Sequence, residues 1–219
     1  MIEELLPATA IAVEAFDDQA PARLFPEEER LVGRAVGKRR REFATARACA
    51  HRALAELGLE PGPILTGERG EPLWPSGVAG SIAHCDGYRG CVVAPMSELA
   101  SVGIDAEPHA PLPDGLLPDV SLPGEREMLA RLAAATPAIH WDRLLFSAKE
   151  SVYKTWFPLA RRWLGFEDAE LTIDPRARSF EARLLVPGRR HAGAELRGFS
   201  GRWLVRDGLV LTAIALPTS

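Results

Sequence analysis

Between Pro108 and Pro123 the chain carries five prolines in sixteen residues, with glycine and aspartate among them. Proline fixes φ and lacks a backbone donor, so a run this dense neither extends a helix nor joins the middle of a sheet. It reads as a connector without regular structure. It is the best domain boundary in the chain, and we expect a region 1–107, a connector 108–124 and a region 125–219.

Helical and strand patterns alternate on both sides of that divide. Residues 27–57 carry apolar side chains near helical spacing, from Leu31 and Val32 to Leu54 and Leu57, and Gly58 supplies a stop. They read as two helices separated near Gly37. The stretch "PGPILTGERGEPLWPSGVAG" is turn-rich, with short extended pieces. "SIAHCDGYRGCVVAPM" reads as a hairpin turning near Asp86 and Gly87, and "LASVGIDAEP" as a strand ending at Pro108. Beyond the connector, "EREMLARLAAA" predicts a short helix and residues 138–157 a longer one, stopped by Pro158. "AELTID", "SFEARLLV", "GFSGRWLVRDG" and "LVLTAIAL" follow as strands of an antiparallel sheet. The class is α+β, and no fixed repeat period is visible.

Composition excludes several functions. With 219 residues, 47% of them hydrophobic, the chain can bury one large core or two small ones. A formal charge of -4 argues against a general nucleic-acid binder. No apolar run approaches ~18 residues, and the first residues are acidic where a signal peptide is basic, so we expect a cytoplasmic protein without a membrane span. Cys49, Cys85 and Cys91 are odd in number and lack CxxC spacing, which suits a reducing compartment better than a disulfide framework or zinc cage.

Four constellations could carry chemistry. In "VGIDAEP", Asp105 and Glu107 lie two apart, so a strand projects both carboxylates from one face. Like charges that close are relieved by a hard divalent cation such as Mg²⁺; the plainer alternative is two exposed acids before a proline. In "FSAKESVYK", Glu150 and Lys154 are one helical turn apart and Lys149 pairs with Tyr153 one stripe over. That is either an ordinary helix-face pair worth ~0.3–0.5 kcal/mol, or a third carboxylate and a phosphate-binding lysine. Two of only three lysines lie in this stretch, against 23 arginines. In "KRRREFATAR", Lys38, Arg39, Arg40, Arg41 and Arg47 form a basic cluster that suits phosphate or simply solvent; it lacks the interleaved aromatics of a stacking platform. His84 in "GSIAHC" is a ligand candidate or a structural residue. It cannot form a dyad with Cys85, because adjacent strand residues face opposite ways.

Taken together and in order, "KRRREFATAR", "GERGEPLWPSGVAGSIAH", "VGIDAEP" and "FSAKESVYK" resemble the 4′-phosphopantetheinyl transferases, in the group of roughly 220-residue surfactin- and enterobactin-type enzymes. The likeness covers most of residues 1–157 and thins over the C-terminal strands; "LLPATAIAVEAFDD" looks most like actinobacterial members. The resemblance implies two similar α/β subdomains related by pseudo-twofold symmetry, with coenzyme A in the cleft between them. It implies Mg²⁺, or Mn²⁺ in its place, on Asp105, Glu107 and Glu150, with Lys154 at the pyrophosphate and Lys149 near the phosphates. Arg39, Arg40, Arg47 and His84 are expected toward the nucleotide end, and Tyr153 toward an acyl or peptidyl carrier protein. Related sequences often place a lysine where Thr66 stands, a contact that Arg69 could supply.

The reaction so implied is attack of a carrier serine on the β-phosphate of coenzyme A, with Glu150 as candidate base and 3′,5′-ADP leaving. No nucleic acid or membrane partner is expected, and the state expected is a monomer. Two other readings stay open on the residues alone: a Mg²⁺-dependent hydrolase of a nucleotide pyrophosphate, and a non-enzymatic module whose arginines dock an acidic partner.

Overall fold

The computed structural model describes residues 1–18, 23–60, 62–191 and 193–219. A 3₁₀ turn (Ile2–Leu5) leads into β1 (Ile11–Ala15), α1 (Pro26–Leu31), α2 (Gly37–Glu56), β2 (Leu65–Thr66), β3 (Pro72–Leu73), β4 (Val78–Cys85), β5 (Tyr88–Pro95) and β6 (Leu99–Pro108). After these come α3 (Leu117–Val120), α4 (Pro123–Ala135), α5 (Trp141–Ala160), β7 (Ala169–Asp174), β8 (Ser179–Leu184), β9 (Arg190–His191), β10 (Ala194–Glu195), β11 (Gly198–Arg206) and β12 (Leu209–Pro217). The α+β class read from the sequence holds.

Two antiparallel sheets organise these elements: three strands in the order β1-β5-β4, and five in the order β6-β12-β11-β8-β7. The β4–β5 hairpin turns at Asp86-Gly87, where Gly87 takes the positive φ (76°) that an Asp-Gly turn requires. On the smaller sheet, Cys49, Ala50, Ala53 and Leu54 of α2 pack against Val13, Val78, Cys91 and Val93. On the larger one, Leu144, Leu145, Ala148, Val152 and Trp156 of α5 pack against Leu171, Phe180 and Val210. A third apolar cluster joins the two sheets, setting Ala79, Ala83 and Tyr88 against Val102, Ile104, Leu204 and Leu211.

Strand β6 is the hinge of this arrangement. It pairs with β12 over its whole length, Asp105 opposite Thr212 and Glu107 opposite Val210, while the Ile104 N–H donates to Ser81 Oγ of β4 at 3.0 Å. A division after Glu107 thus falls inside a strand that hydrogen-bonds to the end of the chain.

Helix α5 approaches β6 unusually closely because one of its faces is built of hydroxyls. Ser147 and Ser151 both meet Thr212 Oγ1 (3.0 and 2.6 Å), and Ser101 Oγ donates to the Thr155 carbonyl at 2.8 Å. Opposite them stands Gly103, where an added Cβ would lie 2.3 Å from the Ser151 carbonyl oxygen and from Thr155 Oγ1. No other residue fits there without moving the helix.

The two long helices, α2 and α5, are secured by the same device. Glu28 and Glu125 both occupy the third position of a Pro-initiated helix and accept from the backbone N–H three residues earlier, that of Phe25 (3.0 Å) and of Leu122 (2.7 Å). Each is fully buried. Each also accepts a strand-side backbone N–H, from Ile64 (2.9 Å) and Leu171 (2.7 Å). Finally, each meets a basic side chain on the following helix: Glu28 faces His51 (2.9 Å) and Arg47 (3.7 Å) of α2, and Glu125 faces Lys149 (2.8 Å) of α5.

The structure departs from the sequence reading in three places. The connector contains the one-turn α3. Pro158 lies inside α5, which ends at Arg161 in the left-handed conformation (φ 49°); in the last turn a proline forfeits a single hydrogen bond, too little to stop the helix earlier. Strand β1, whose pattern carried no signal of its own, is recruited by pairing with β5.

Candidate active site

The close packing of α5 on β6 brings the two acidic motifs together. Lys154 Nζ donates to Asp105 Oδ1 at 2.8 Å and to the Ile104 carbonyl at 3.1 Å, and Arg143 Nη1 donates to Glu107 Oε2 at 2.8 Å. The helix therefore runs antiparallel to the strand. Glu150, on the same stripe of α5, faces the middle of this charge row. Three carboxylates are bracketed by a cation at either end.

Their electrostatics record the crowding. Burial, then the charge of Asp105, pushes the Glu107 carboxyl above its ordinary value against the pull of Arg143 and Lys154. Burial, then Asp105 and with it Glu107, does the same to Glu150, with Lys154 opposing. Glu150 makes no hydrogen bond or ion pair among the described residues, and Asp105 Oδ2 is buried without a partner. Cys85 lies near enough for its thiol to be driven up to about 12, by burial and then by Glu107 and Asp105. It is an inert neighbour at neutral pH.

This donor set fits a hard divalent cation: all-oxygen, multiply anionic, with one buried oxygen already stripped of water. Among the described residues, however, no three His, Cys, Asp or Glu side chains are gathered closely enough to form a ready cage. Lys154 and Arg143 each occupy one oxygen of the pair on β6.

The basic cluster is divided by the fold. Arg39 extends from α2 to His84 on β4, with Nη1 donating to Nε2 at 3.3 Å. The tip of His84 reaches solvent, but the protein packed around it, then Arg39 and Lys154, hold its pKa below the ordinary value. It stays neutral and able to accept a hydrogen bond. Lys38 pairs with Asp86 (3.2 Å) and Arg40 with Glu29, so the former borders the Arg39–His84 surface while the latter ties α2 to α1. Arg69 sits exposed on the turn joining β2 and β3, with Thr66 half-buried beside it.

Two residues expected at the ligand are engaged within the protein. Lys149 is buried against Glu125, and its ammonium also donates to the carbonyls of Phe166 (2.7 Å) and Ala169 (3.1 Å), which uses all three of its donors internally. Arg47 is buried too, with Nε on the Ile64 carbonyl (3.1 Å) and its guanidinium 4.5 Å from the Phe43 ring centroid. Helical spacing put both on plausible faces. It could not show that each face turns inward toward a buried glutamate.

Tyr153 lies one turn from Lys149, its ring between Phe157 (5.7 Å) and the exposed Trp163 (5.0 Å) and its hydroxyl buried without a partner. With Trp163, Leu164 and Phe166 it lines a pocket of about 100 Å³ whose wall includes Glu150. Trp163 and Arg143 were missed in the sequence. Arg143 had a signal, seven residues before Glu150 on the same helical stripe; Trp163, beyond the helix, had none.

Comparison with known proteins is unambiguous. Residues 27–94 match the family model described as the 4′-phosphopantetheinyl transferase N-terminal domain, and residues 101–204 that of the 4′-phosphopantetheinyl transferase superfamily. The chain is 59% identical to 4′-phosphopantetheinyl transferase Svp of Streptomyces mobaraensis over 220 residues, covering 99% of this chain and 89% of that protein. It is 49% identical to 4′-phosphopantetheinyl transferase PptT of Mycobacterium tuberculosis over 229 residues, covering 99% and 98%. Enterobactin synthase component D of Salmonella typhimurium is 33% identical over 196 residues, covering 88% and 78%.

Proposed function

Given that this chain belongs to the 4′-phosphopantetheinyl transferase superfamily, we propose that it moves the 4′-phosphopantetheine group of coenzyme A onto a serine of acyl or peptidyl carrier proteins, releasing 3′,5′-ADP in a Mg²⁺-dependent reaction. The single observation that carries this reading is the 2.8 Å contact between Lys154 and Asp105, 49 residues apart, which joins the two acidic motifs in one charge row.

Within that reading, the roles follow from position. Asp105, through its unpartnered Oδ2, with Glu107 and Glu150, would hold the metal, for which Mn²⁺ is an alternative. When bound, the metal would offset charge on the pyrophosphate and polarise it. Lys154, at the end of the row nearest His84, is placed to take a phosphate oxygen as negative charge develops on the leaving 3′,5′-ADP. Arg39 and the neutral His84 offer one charged and one polar contact to the nucleotide end, and Arg69 offers another from the β2–β3 turn. Glu150 is the candidate base for the serine proton; its raised pKa makes its ionised form a stronger base than an ordinary carboxylate. The Tyr153–Trp163 pocket suits the pantetheine arm or the carrier surface.

The duplicated Glu28 and Glu125 devices support pseudo-twofold related halves, 1–107 and 125–219 about the 108–124 connector, with substrate in the cleft between them. Free thiols on all three cysteines, with no helix among the described residues long and apolar enough to cross a membrane, support a cytoplasmic enzyme, and we take it to act as a monomer. Intact-mass measurement of an apo carrier protein incubated with this protein, coenzyme A and Mg²⁺ tests the proposal: one phosphopantetheine is added per carrier domain. Release of 3′,5′-ADP without a carrier would show a hydrolase instead, and unchanged masses across fatty-acid, polyketide and peptidyl carriers would refute transfer.

A further inference from the structure

At one end of the charge row stands Lys154, close to His84. At the other stands Arg143, a half-buried side chain held by the protein around it. Its three nitrogens are all engaged: Nη1 on Glu107 Oε2 (2.8 Å), Nε on the Ala110 carbonyl (3.1 Å) and Nη2 on the Pro111 carbonyl (2.7 Å). The residues beside it complete the seam. The Leu112 N–H donates to Asp142 Oδ2 at 2.8 Å, and the His140 N–H to His109 Nε2 at 3.1 Å. The first turn of α5 thus grips the chain where it leaves β6, and among the described residues the side-chain link from this grip into the carboxylate cluster is the Arg143–Glu107 contact.

We infer that Arg143 is a positioning residue for the acidic site: it aims Glu107. This rests on the three-carboxylate reading above. A planar guanidinium that bridges two fixed carbonyls has no freedom to turn, so the carboxylate on its remaining nitrogen is fixed as well. With Oε2 held, Oε1 is the oxygen left for the site. Lysine carries its donors on one rotatable ammonium and lacks the planar fork, so it would not fix the plane of the Glu107 carboxylate. Arg143 also brings a positive charge to the site's edge, which opposes a bound cation. Orientation and affinity are therefore set in opposite directions by one side chain.

That opposition gives the test. Arg143→Met and Arg143→Lys are compared with the unaltered full chain in two measurements. The first is Mn²⁺ titration with coenzyme A present, free ion being read by electron paramagnetic resonance; the second is steady-state kinetics at saturating Mg²⁺. Arg143→Met is expected to bind Mn²⁺ at least ~3-fold more tightly, since the repelling charge is gone, yet to lose at least ~10-fold in kcat because Glu107 is no longer aimed. The KM for coenzyme A should stay within about twofold. Arg143→Lys, charge restored but fork lost, should return Mn²⁺ affinity to the original value while kcat stays low. An unchanged kcat in Arg143→Met overturns the inference, and so do Mn²⁺ affinity and kcat that fall together in both variants. An unaltered protein that takes up no Mn²⁺ would instead overturn the three-carboxylate reading, and the inference with it, before any substitution is made.

Discussion

Substituting Gly103 by alanine tests whether the carboxylate row depends on the close approach of α5 to β6. The added Cβ would stand 2.3 Å from the Ser151 carbonyl oxygen, 2.3 Å from Thr155 Oγ1 and 2.8 Å from the Thr155 nitrogen. A carbon against a carbonyl oxygen settles near ~3.4 Å, so helix and strand must separate by about 1 Å. Two of the three obstructing atoms are backbone, and no rotamer change relieves them. Overpacking of this kind costs about 1–3 kcal/mol, and near 2 kcal/mol the Tm of a chain this size falls by roughly 4–8 °C. The effect on activity should be larger than the effect on stability. Gly103 itself contributes no side chain, but a 1 Å shift of Glu150 and Lys154 from Asp105 should cost about 10²-fold in kcat. Thermal unfolding and carrier-modification kinetics on the same preparation decide the matter. Full activity with an unchanged Tm would show that the approach is not what holds the site together.

Other outcomes follow from the same contacts. Lys149→Met should lower stability by about 3–5 kcal/mol, because it leaves Glu125 charged and buried, while the KM for coenzyme A changes less than about twofold; a large rise in KM with little loss in urea unfolding would return Lys149 to the ligand site. Glu28→Gln should be destabilising at pH 7, and its deficit should shrink in acid. The hydrogen bonds from His51, Ile64 and Phe25 outweigh burial and hold the folded-state pKa of Glu28 below 4.5, so its carboxylate stabilises above the unfolded value and stops doing so as pH falls through the folded one; a pH-independent gap between 7 and 3 would contradict this. Glu150→Gln should reduce kcat by at least ~10²-fold with Tm unchanged or higher in chelator. Its raised pKa marks the ionised form as disfavoured in the folded protein, so a lower Tm would be inconsistent with the like-charge crowding.

Much of this site could be read locally. The two-residue spacing of Asp105 and Glu107 and the four-residue spacing of Glu150 and Lys154 are properties of a strand and a helix alone, and both elements lie where periodicity put them. Arg47 and Lys149 show the limit of such reading. Each has the charge and spacing of a phosphate ligand, and each is turned inward by a glutamate on the preceding helix, Glu28 or Glu125, about twenty residues away. Two charged residues that far apart in sequence give no sign of being partners until the helices pack.

Apart from β1 and α3, the order of the main helices and strands, the α+β class, the hairpin at Asp86-Gly87 and the identity of the acidic pair were determined by sequence, because each depends on interactions within a few residues. Only the tertiary structure decided which oxygens are free. Pairing of β6 with β12 and the hydroxyl face of α5 against Gly103 set Glu150 beside Asp105 and Glu107. The same packing gave Lys154 one carboxylate and Arg143 the other. Those choices arise from contacts between distant segments, where burial and charge compensation, rather than local propensity, select the partner.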